Sequence, residues 1–572
     1  MYKNGIIKIE MASPELYIGK PLQNAQSIVK ILNKSKASFV LFSELCLSGY
    51  SSGDLFFEIS FLDENLSALR FIMDNTSFQG VYFVGMPFLF QEVIFNVAVV
   101  VQKQKILGIV PKKTIPNYKE FNEKRWFQSG KLINKDIIYF LGQKVPIGDI
   151  LFINKNFDIV FGVEICQDLW TINSPSDLLV LNGAHLIFNL SASTEHLNKD
   201  KFRKLAVLNH SRKQISGYFY TSSGISESSV SSVFSNHKIA SVVGEIVSEK
   251  DLNDQDISLV VDILIDYIKY QRRIDTTFGD QKINKQFPFL ESYFELKEND
   301  DYQLEKSFSK KPFLNNHDLE EQLKLSNTIQ VLSLHNIIKS FHFFEIIFEI
   351  KNRLNDFLTL LVVLQYFKKI KKDLKLLKII IKKENYSNNY QTFDFYLKML
   401  SYLGIYNIQI IEQKEKYNKI FLDNLSNKLI LESDNLSDIA SGKVNLINQN
   451  HYYLYNLNVS IPNTFMVELI LFHFRNQTII LEDYIKNYYL LKIDEFLNLQ
   501  VIIEDFILYH YLNGGLQNEK IAFLLEKSFS LSYEKSLILV TQYMNNFYKN
   551  QYKKNKIAPG PQILSNCLTY RK

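Results

Sequence analysis

Three residues with chemically active side chains each follow a short apolar stretch in the first third of the chain. Glu44 ends "FVLFSE", Lys112 ends "KILGIVPK" and Cys166 ends "DIVFGVEIC". An ionisable group at the end of a buried strand is costly unless it is paired or functional. If the three strands are neighbours, their ends meet at one edge of a sheet, which is where α/β domains form sites.

A carboxylate, an amine and a thiol together can cleave an amide or a nitrile. The carboxylate takes the proton of the thiol, the amine stabilises the negative charge that develops, and the sulfur attacks the carbon to give a thioester. A backbone N–H just after the cysteine can complete an oxyanion hole. Each residue alone has an ordinary explanation, since a lone buried cysteine usually serves packing. Three coincidences at three strand ends weaken that explanation, so we expect a catalytic cluster.

The chain that must position these residues divides into three parts. Apolar strands alternate with helical patterns over about the first 270 residues, which predicts a layered α/β domain at 1–275. Residues 276–325 are mostly polar with scattered aromatic residues and predict a connecting segment. Helical periodicity dominates 326–572, with short strands such as "KLLKIIIKK" and "NKLILES" between the helices, and predicts a second α/β domain.

Composition narrows the class of protein. A chain of 572 residues with 46% hydrophobic and 22% charged residues is typical of a soluble multidomain protein. A net charge of +5 argues against a dedicated nucleic-acid binder, and the lysine-rich run 368–383 reads as a solvated face. No run of apolar residues is long enough to predict a membrane-spanning helix.

The cysteines give no sign of a disulfide framework or a zinc site. Cys46, Cys166 and Cys567 are odd in number and far apart, and no CxxC pair occurs. A reducing cytoplasm is therefore the simplest expected location.

Four segments resemble the carbon–nitrogen hydrolase (nitrilase) superfamily and, more closely, the glutaminase domain of glutamine-dependent NAD synthetases. They are "SELCLSGYSSGDL", "VPKKTIPNYKEFNEKRWFQSG", "VEICQDLW" and "GAHLIFNLSAS". The resemblance implies a nitrilase-like α-β-β-α sandwich. It also implies a Glu–Lys–Cys triad that hydrolyses glutamine, or a similar small amide, through a thioester and releases ammonia. No cofactor is expected for this step.

The resemblance assigns the triad residue by residue. It makes Glu44 the general base and Cys166 the nucleophile. The family lysine stands four residues before a proline, here Pro116, which favours Lys112 over Lys113.

The same resemblance implies substrate-binding residues around the triad. Glu123 fits a second glutamate that helps to hold the substrate amide, and Tyr118, Ser193 and Lys199 fall where the family contacts the glutamine. One departure is that Gln167 follows the nucleophile, where the family usually has a glutamate. The backbone N–H at that position is retained, so an oxyanion donor is retained with it.

Three later segments, "LYNLNVSIPNTFM", "IEDFILYHYLNGGLQNEKIAFLL" and "QYKKNKIAPGPQIL", resemble the synthetase domain of the longer NAD synthetases. The resemblance implies a Rossmann-like α/β domain of the adenine nucleotide alpha hydrolase type. In that family the domain adenylates deamido-NAD with ATP and then accepts ammonia. It has a pyrophosphate-binding turn, typically SGGxDS, whose glycines let backbone N–H groups approach the phosphates.

The residues expected to handle ATP depart from the family pattern. Leu334 and His335, in "TIQVLSLHNIIKSFHFFEI", stand where the glycines are expected. The family glutamate of a second element is Asp438 in "ESDNLSD", and the lysine of a third is Asn463 in "IPNTF". Bulky side chains at the turn and a lost positive charge both disfavour phosphate binding. The sequence therefore predicts that the adenylation step is lost or much weakened.

Three functions remain open at this point. The first is a glutamine-hydrolysing amidase with a degenerate synthetase domain. The second is a full glutamine-dependent NAD synthetase with atypical residues at the ATP site, for which ATP and magnesium would be required. The third is a non-catalytic subunit that supports an intact synthetase. The expected partners are glutamine or a similar amide, deamido-NAD if the synthetase domain works, and further copies of the chain in a homo-oligomer. Neither nucleic acid nor a membrane is expected.

Overall fold

The computed structural model describes residues 2–133, 136–227, 232–254, 256–283, 288–314, 318–341, 343, 345–383, 390–412, 428–444, 453–554, 557–565 and 568. The chain divides into two compact units, Met1–Lys306 (unit 1) and Ser307–Lys572 (unit 2). Of the three cysteines, Cys46 and Cys166 are buried free thiols, and Cys567 lies outside the described residues.

Unit 1 is rich in short apolar strands. In chain order they are β1 (Tyr2–Lys3), β2 (Ile6–Ala12), β3 (Phe39–Leu41), β4 (Val81–Phe90), β5 (Val93–Gln102), β6 (Lys105–Pro111), β7 (Asn117–Tyr118), β8 (Phe121–Asn122), β9 (Asp136–Phe140), β10 (Gln143–Ile147), β11 (Ile150–Asn154), β12 (Ile159–Ile165), β13 (Leu186–Ser191), β14 (Gly217–Ser222), β15 (Lys238–Val242), β16 (Glu245–Lys250), β17 (Ser258–Leu264) and β18 (Leu290–Tyr293).

The helices of unit 1 are α1 (Pro21–Lys34), α2 (Ile59–Asn75), α3 (Pro175–Leu181), α4 (Lys199–Gln214), α5 (Ile265–Ile274) and α6 (Thr276–Ile283). Short 3-10 helices cover Tyr50–Phe57, Glu123–Arg125, Gly130–Leu132 and Cys166–Trp170. The predicted connecting segment 276–325 thus contributes α6 and β18 to unit 1, and β18 pairs with β11.

Two sheets make up the body of unit 1. The first has the order β1-β2-β3-β4-β5-β6-β10-β9, with β17 beside β2, and the second has the order β16-β15-β14-β13-β12-β11-β18. β7 and β8 pair only with each other among the described strands.

The alternation of side chains along the strands explains why the sheets stack. In β4, Phe83 points into the apolar core between the sheets, whereas Tyr82 and Val84 pack in a second core with residues of α1 and α2. Phe188 of β13 lies in the inter-sheet core with its ring centroid 4.5 Å from that of Phe83. Because both faces of the central strands are covered, their sequences are apolar throughout. The predicted α-β-β-α sandwich is confirmed.

The three strands that lead to Glu44, Lys112 and Cys166 do not meet the condition that they are neighbours in one sheet. β3 and β6, which precede Glu44 and Lys112, lie in the first sheet with β4 and β5 between them, whereas β12, which precedes Cys166, lies in the second sheet. The three strands are therefore not neighbours at one sheet edge. Their ends meet across the sandwich, because the two sheets are packed face to face.

Unit 2 contains α7 (Leu319–Phe341), β19 (Glu345–Ile350), α8 (Leu354–Ile370), β20 (Leu377–Lys382), α9 (Tyr390–Tyr402), β21 (Ile408–Ile411), β22 (Lys428–Glu432), α10 (Leu436–Ser441), β23 (Tyr453–Asn456), α11 (Asn463–Arg475), α12 (Asp483–Phe496), α13 (Leu499–Gly514), α14 (Asn518–Phe529), α15 (Tyr533–Lys549) and α16 (Gln551–Lys554), with a 3-10 turn at Leu374–Leu376.

The strands of unit 2 form one parallel sheet in the order β21-β20-β19-β22-β23. The first strand, β19, is central, and the chain builds outward from it to both sides, as in a doubly wound fold. Most of α8 is buried, which explains its nearly uninterrupted apolar sequence. The predicted Rossmann-like α/β domain is confirmed.

The structure corrects the predicted position of the phosphate-binding turn. The stretch "TIQVLSLHN", with Leu334 and His335, lies inside helix α7 and is not a strand followed by a turn. The first strand is β19, and the segment after it, "KNRLND" at residues 351–356, comprises a three-residue turn and the first three residues of α8. This segment also contains no glycine, so the departure from the family pattern holds at a different place.

Helices long and apolar enough to cross a membrane are absent from the described part of the chain.

A buried histidine makes the stability of unit 2 depend on pH. Burial lowers the pKa of His473 in α11 from 6.5 to about 4. The unfolded chain therefore binds more protons than the folded chain between these values, and stability is lost as the pH falls from 6.5 towards 4. The loss for this residue is about 3 kcal/mol.

His473→Gln is expected to flatten this pH dependence. Urea unfolding followed by far-UV circular dichroism measures it, and tryptophan fluorescence follows unit 1 separately, because both tryptophans, Trp126 and Trp170, lie there. His335→Gln, at a half-buried position, is the matched control. An unchanged pH slope in His473→Gln would contradict the assignment.

Candidate active site

A buried ammonium group lies at the centre of the site. Lys112 follows β6 directly, and its side chain is fully inaccessible to solvent. Its Nζ donates to Glu44 Oε1 at 2.6 Å and to the two carboxylate oxygens of Glu123 at 2.7 and 2.8 Å. A buried charge requires such pairing, since the loss of its hydration would otherwise prevent folding.

The first carboxylate, Glu44, is held on every side. Oε1 also accepts a hydrogen bond from Asn96 Nδ2 at 2.7 Å, and Oε2 accepts one from the backbone N–H of Ala192 at 2.9 Å. Asn96 comes from β5 of the first sheet, and Ala192 directly follows β13 of the second. Glu44 therefore bridges the ends of the two sheets.

The second carboxylate, Glu123, lies on a short 3-10 helix and also accepts a hydrogen bond from Tyr50 Oη at 2.8 Å. Burial raises its pKa, Lys112 lowers it and Glu44 raises it, and the net value is about 7. For Lys112, burial lowers the pKa, but Glu123 and Glu44 together hold it well above its usual value. The lysine therefore stays charged, and the pair of glutamates shares one positive partner.

Cys166 stands in a strained turn at the end of β12. Its φ is +46°, a left-handed value that a residue with a Cβ adopts at a cost of about 1–3 kcal/mol. The backbone N–H of Cys166 donates to Asn189 Oδ1 at 3.3 Å. Asn189 is fixed in turn by Tyr218, whose Oη is 3.0 Å from the amide nitrogen. The network holds the cysteine backbone in the strained conformation.

The sulfur lies within electrostatic reach of the buried charges. Burial and, to a smaller extent, Glu44 raise the pKa of Cys166, Lys112 lowers it, and the net value is about 12. Ala192, which donates to Glu44, also forms a backbone hydrogen bond that lowers the pKa of the thiol. The resting group is thus a neutral thiol beside a carboxylate able to take its proton.

Asp168, which the sequence analysis did not single out, ties two parts of the site together. Its buried carboxylate accepts from the backbone N–H of Thr114 at 2.8 Å, of Ile165 at 3.2 Å and of Lys113 at 3.3 Å. These groups flank Cys166 on one side and follow Lys112 on the other. The only available signal was an acidic residue two positions after the cysteine. Asn96 and Tyr50 were likewise missed, because nothing local marks their contacts.

Two glycines allow the close packing behind the site. A Cβ on Gly85 would lie 2.4 Å from the backbone nitrogen of Leu45, directly after Glu44. A Cβ on Gly130 would lie 2.8 Å from the carbonyl oxygen of Lys112, to which the Gly130 N–H donates. Any side chain at either position would displace the backbone that carries a site residue.

The predicted substrate-binding residues Tyr118 and Lys199 have different hydrogen-bond partners. Tyr118 is half exposed, and its Oη donates to Gln167 Oε1 at 2.8 Å. Lys199 Nζ donates to Thr194 Oγ1 at 2.8 Å and to Glu120 Oε1 at 3.2 Å. Cys166 contributes to the pKa of both Tyr118 and Lys199, so both side chains lie within electrostatic reach of the sulfur.

Ser193 belongs to a neighbouring polar network. Its Oγ accepts a hydrogen bond from Arg203 Nη2 at 3.2 Å, and Arg203 also pairs with Glu195 at 3.0 Å. Ser193 is buried next to Ala192, one residue from the backbone N–H that binds Glu44. Its hydroxyl is bonded to this network and not to Lys112 or the two glutamates.

Comparison with known proteins identifies the class of unit 1. Residues 11–223, which include Glu44, Lys112 and Cys166, match the carbon–nitrogen hydrolase family. Unit 1 therefore carries a carbon–nitrogen hydrolase domain.

The predicted resemblance to glutamine-dependent NAD(+) synthetases is also confirmed. The chain is 28% identical to that of Mycobacterium bovis over 288 residues, 49% of this chain and 42% of the relative. It is 35% identical to that of Thermotoga maritima over 185 residues, 32% of this chain and 29% of the relative. The match thus spans less than half the length of these relatives. A solved glutamine-dependent NAD(+) synthetase from Cytophaga hutchinsonii aligns over 99% of this chain and 97% of its own, with a TM-score of 0.40 and 14% identity.

The raised pKa of Cys166 predicts slow, pH-dependent alkylation. With a pKa of about 12, labelling by iodoacetamide is expected to rise about tenfold per pH unit from neutral to mildly alkaline pH, because only the thiolate reacts. Peptide mass spectrometry measures the rate at Cys166, and the fully buried Cys46 serves as the internal control. A rate that is already constant near pH 7 would reveal a preformed thiolate and contradict this prediction.

Proposed function

We propose that the protein is a glutamine-hydrolysing amidase that uses Glu44, Lys112 and Cys166 as a catalytic triad. The observation that carries the proposal is the buried Glu44–Lys112–Glu123 arrangement in the same site as a cysteine with a strained, left-handed backbone. Apolar residues of similar volume often stabilise a core as well as buried charges do. Fold stability alone therefore does not explain why three charged residues are buried here. Glutamine is the amide in the name of the relatives, and it enters the proposal from there.

In the first half of the reaction, Glu44 takes the proton of the Cys166 thiol while the sulfur bonds to the amide carbon. Protonation of Glu44 weakens its hold on Lys112. All hydrogen-bonding capacity of this ammonium is directed at the two glutamates in the resting site. Released from Glu44, it donates to the oxyanion, together with the backbone N–H of Gln167. Glu44 then returns the proton to the leaving nitrogen, the C–N bond breaks, and ammonia leaves a thioester.

In the second half, a water molecule attacks the thioester carbon and gives a proton to Glu44. The C–S bond breaks, the carboxylic acid product leaves, and the sulfur recovers a proton. Glu123 remains beside Lys112 throughout and helps to hold the substrate amide. For the rest of the substrate, we assign Tyr118, Ser193 and Lys199 to the amino and carboxylate ends of glutamine.

We propose further that the ATP-dependent amidation of deamido-NAD is lost or much weakened in unit 2. Support comes from the glycine-free segment 351–356 after β19 and from Asn463, where the family has a lysine. Without glycine, the turn keeps side chains where backbone N–H groups would approach a pyrophosphate. No step of the reaction proposed here passes through ATP or magnesium.

The triad is tested by ammonia release from glutamine. Cys166→Ala is expected to lower kcat at least about 10³-fold, and Glu44→Gln about 10²–10⁴-fold, because the nucleophile or its base is lost. Cys46→Ala is the matched control and is expected to retain activity. Unchanged ammonia release from Cys166→Ala would refute the proposal, and absence of release from the wild type would favour the non-catalytic subunit.

A second assay on the same preparation tests the loss of the ligase step. AMP formation from ATP and deamido-NAD is expected to be absent, and Mg-ATP is expected not to shift the unfolding temperature, because a ligand stabilises only the state that binds it. AMP formed in step with ammonia would establish the alternative, a full glutamine-dependent NAD synthetase.

A further inference from the structure

The carboxyl edge of the unit 2 sheet is where a doubly wound fold binds its ligand. β19 is the central strand, and the chain proceeds from it to β20 on one side and, later, to β22 on the other. Ligands of such sheets bind outside the carboxyl ends of the strands where the order reverses. Here that position is formed by residues 351–356 after β19 and residues 433–438 after β22.

An arginine of the chain itself spans this position. Arg353 Nη1 donates to Asp434 Oδ1 at 2.7 Å, and Nη2 donates to Ser433 Oγ at 2.8 Å. Asp356 Oδ1 lies 3.4 Å from Nη2 and also accepts a hydrogen bond from Ser433 Oγ at 2.6 Å. The guanidinium group, about a third exposed, thereby joins the ends of β19 and β22.

The helix N-termini at this edge are bonded to side chains of the chain. Asp356 Oδ2 accepts from the backbone N–H groups of Lys351 at 2.7 Å and Arg353 at 3.0 Å, at the start of α8. Asn435 Oδ1 accepts from the backbone N–H of Asp438 at 2.9 Å in α10. Backbone N–H groups in these positions would otherwise be available to a phosphate.

The third helix at this edge, α11, has the same arrangement. The buried carboxylate of Asp505, from α13, accepts from both the backbone N–H and the hydroxyl of Thr464 at 2.7 Å. Ser437 Oγ accepts from the backbone N–H of Asn463 at 3.0 Å. Side chains of the protein thus bind N–H groups within the first turns of α10 and α11, and in α8 they bind the N–H groups of the residues that lead into the helix.

The negative charges at the turn also disfavour the binding of a polyphosphate. Asp356, Asp434 and Asp438 surround Arg353, the last with its carboxylate 4.0 Å from Nη1. Asp438 accepts in addition from Asn355 Nδ2 at 2.6 Å. These carboxylates are engaged by protein donors, so they do not form a magnesium site, and a phosphate would have to displace Arg353 while facing three negative groups. The residues present do not fit Mg-ATP.

We propose that Asp356, fixed by Arg353, is a permanent internal ligand of the α8 N-terminus and that unit 2 folds and persists with no bound nucleotide. The ion-pair network between β19 and β22 takes over the stabilising role that a bound anion would have. This inference goes beyond the amidase activity of unit 1, because it assigns a structural function to an edge that such a fold uses for binding.

Removal of the arginine tests the inference. Arg353→Ala is expected to lower the unfolding temperature of unit 2 by about 5 °C, since it leaves Asp434 and Asp356 without their cationic partner. Backbone hydrogen exchange at 351–356 and 433–438 is expected to accelerate at least about tenfold. Arg475→Ala is the matched control, because Arg475 is more exposed and its carboxylate contacts are 3.7 and 4.0 Å long.

Chemical rescue separates a ligand-like role from general damage. Millimolar guanidinium chloride is expected to raise the unfolding temperature of Arg353→Ala and to lower or leave unchanged that of the wild type and of Arg475→Ala. If Arg353→Ala does not fold, Arg353→Lys, which keeps the charge but loses the planar fork, is expected to fall between the wild type and full loss. Stability of Arg353→Ala equal to that of Arg475→Ala, or stabilisation of the wild type by Mg-ATP, would overturn the inference.

Discussion

The pairing of one buried ammonium with two buried carboxylates is the interaction on which the unit 1 site depends. Removing such charges from water costs several kcal/mol per ion, and only close, well-directed partners offset the cost. Lys112 has these partners in Glu44 and Glu123. Burial, together with the negative charge of Glu44, raises the pKa of Glu123 to about 7 and that of the Cys166 thiol to about 12. Burial and the neighbouring carboxylates thus both favour the neutral form of the Cys166 thiol.

The sandwich makes this pairing possible by bringing polar groups from two sheets to one end. Glu44 is bonded to Asn96 of the first sheet and to the backbone of Ala192 after the second. Asp168 links the cysteine turn to the backbone that follows Lys112. The apolar core between the sheets fixes the distance between these groups, because well-packed interiors yield little to small displacements. A shift of one sheet against the other would therefore separate the acid from the sulfur.

The sequence predicted the members of this site better than its architecture. Glu44, Lys112 and Cys166 each stand just after a buried strand, and that local signal is readable. The sequence does not show that these residues come from two different sheets. Every central strand is apolar on both faces, so its sequence does not indicate which sheet it joins. Asn96 was missed for the same reason, since its amide lies inside an apolar strand. The substrate-binding and catalytic roles of the seven residues singled out from the sequence stay predictions.

The turn of unit 2 was misplaced for a related reason. "TIQVLSL" mixes β-branched and apolar residues that suit a strand, but it continues a helical pattern that begins at Leu319. A glycine-rich turn would have marked the end of the first strand, and here the glycines are absent. Only the three-dimensional order of the strands identifies β19 as the first strand of the sheet. It also identifies Arg353 and Asp356 as residues of the segment that follows this strand.

Paired acidic and basic residues have different roles in the two units. In unit 1, Glu44 and Lys112 lie beside a sulfur that still holds the proton the carboxylate can take, so the charges are poised for a reaction. In unit 2, Asp356 and Asp434 bond to Arg353, and Asp356 also bonds to Ser433 and to the backbone N–H of Lys351. Catalysis requires a polar group whose best partner arrives with the substrate or forms in the transition state. In both units the charged residues are paired with groups of the chain, but only in unit 1 does a thiol lie within electrostatic reach of the pair. Paired acidic and basic residues at a sheet edge therefore indicate chemistry only where a reactive group accompanies them.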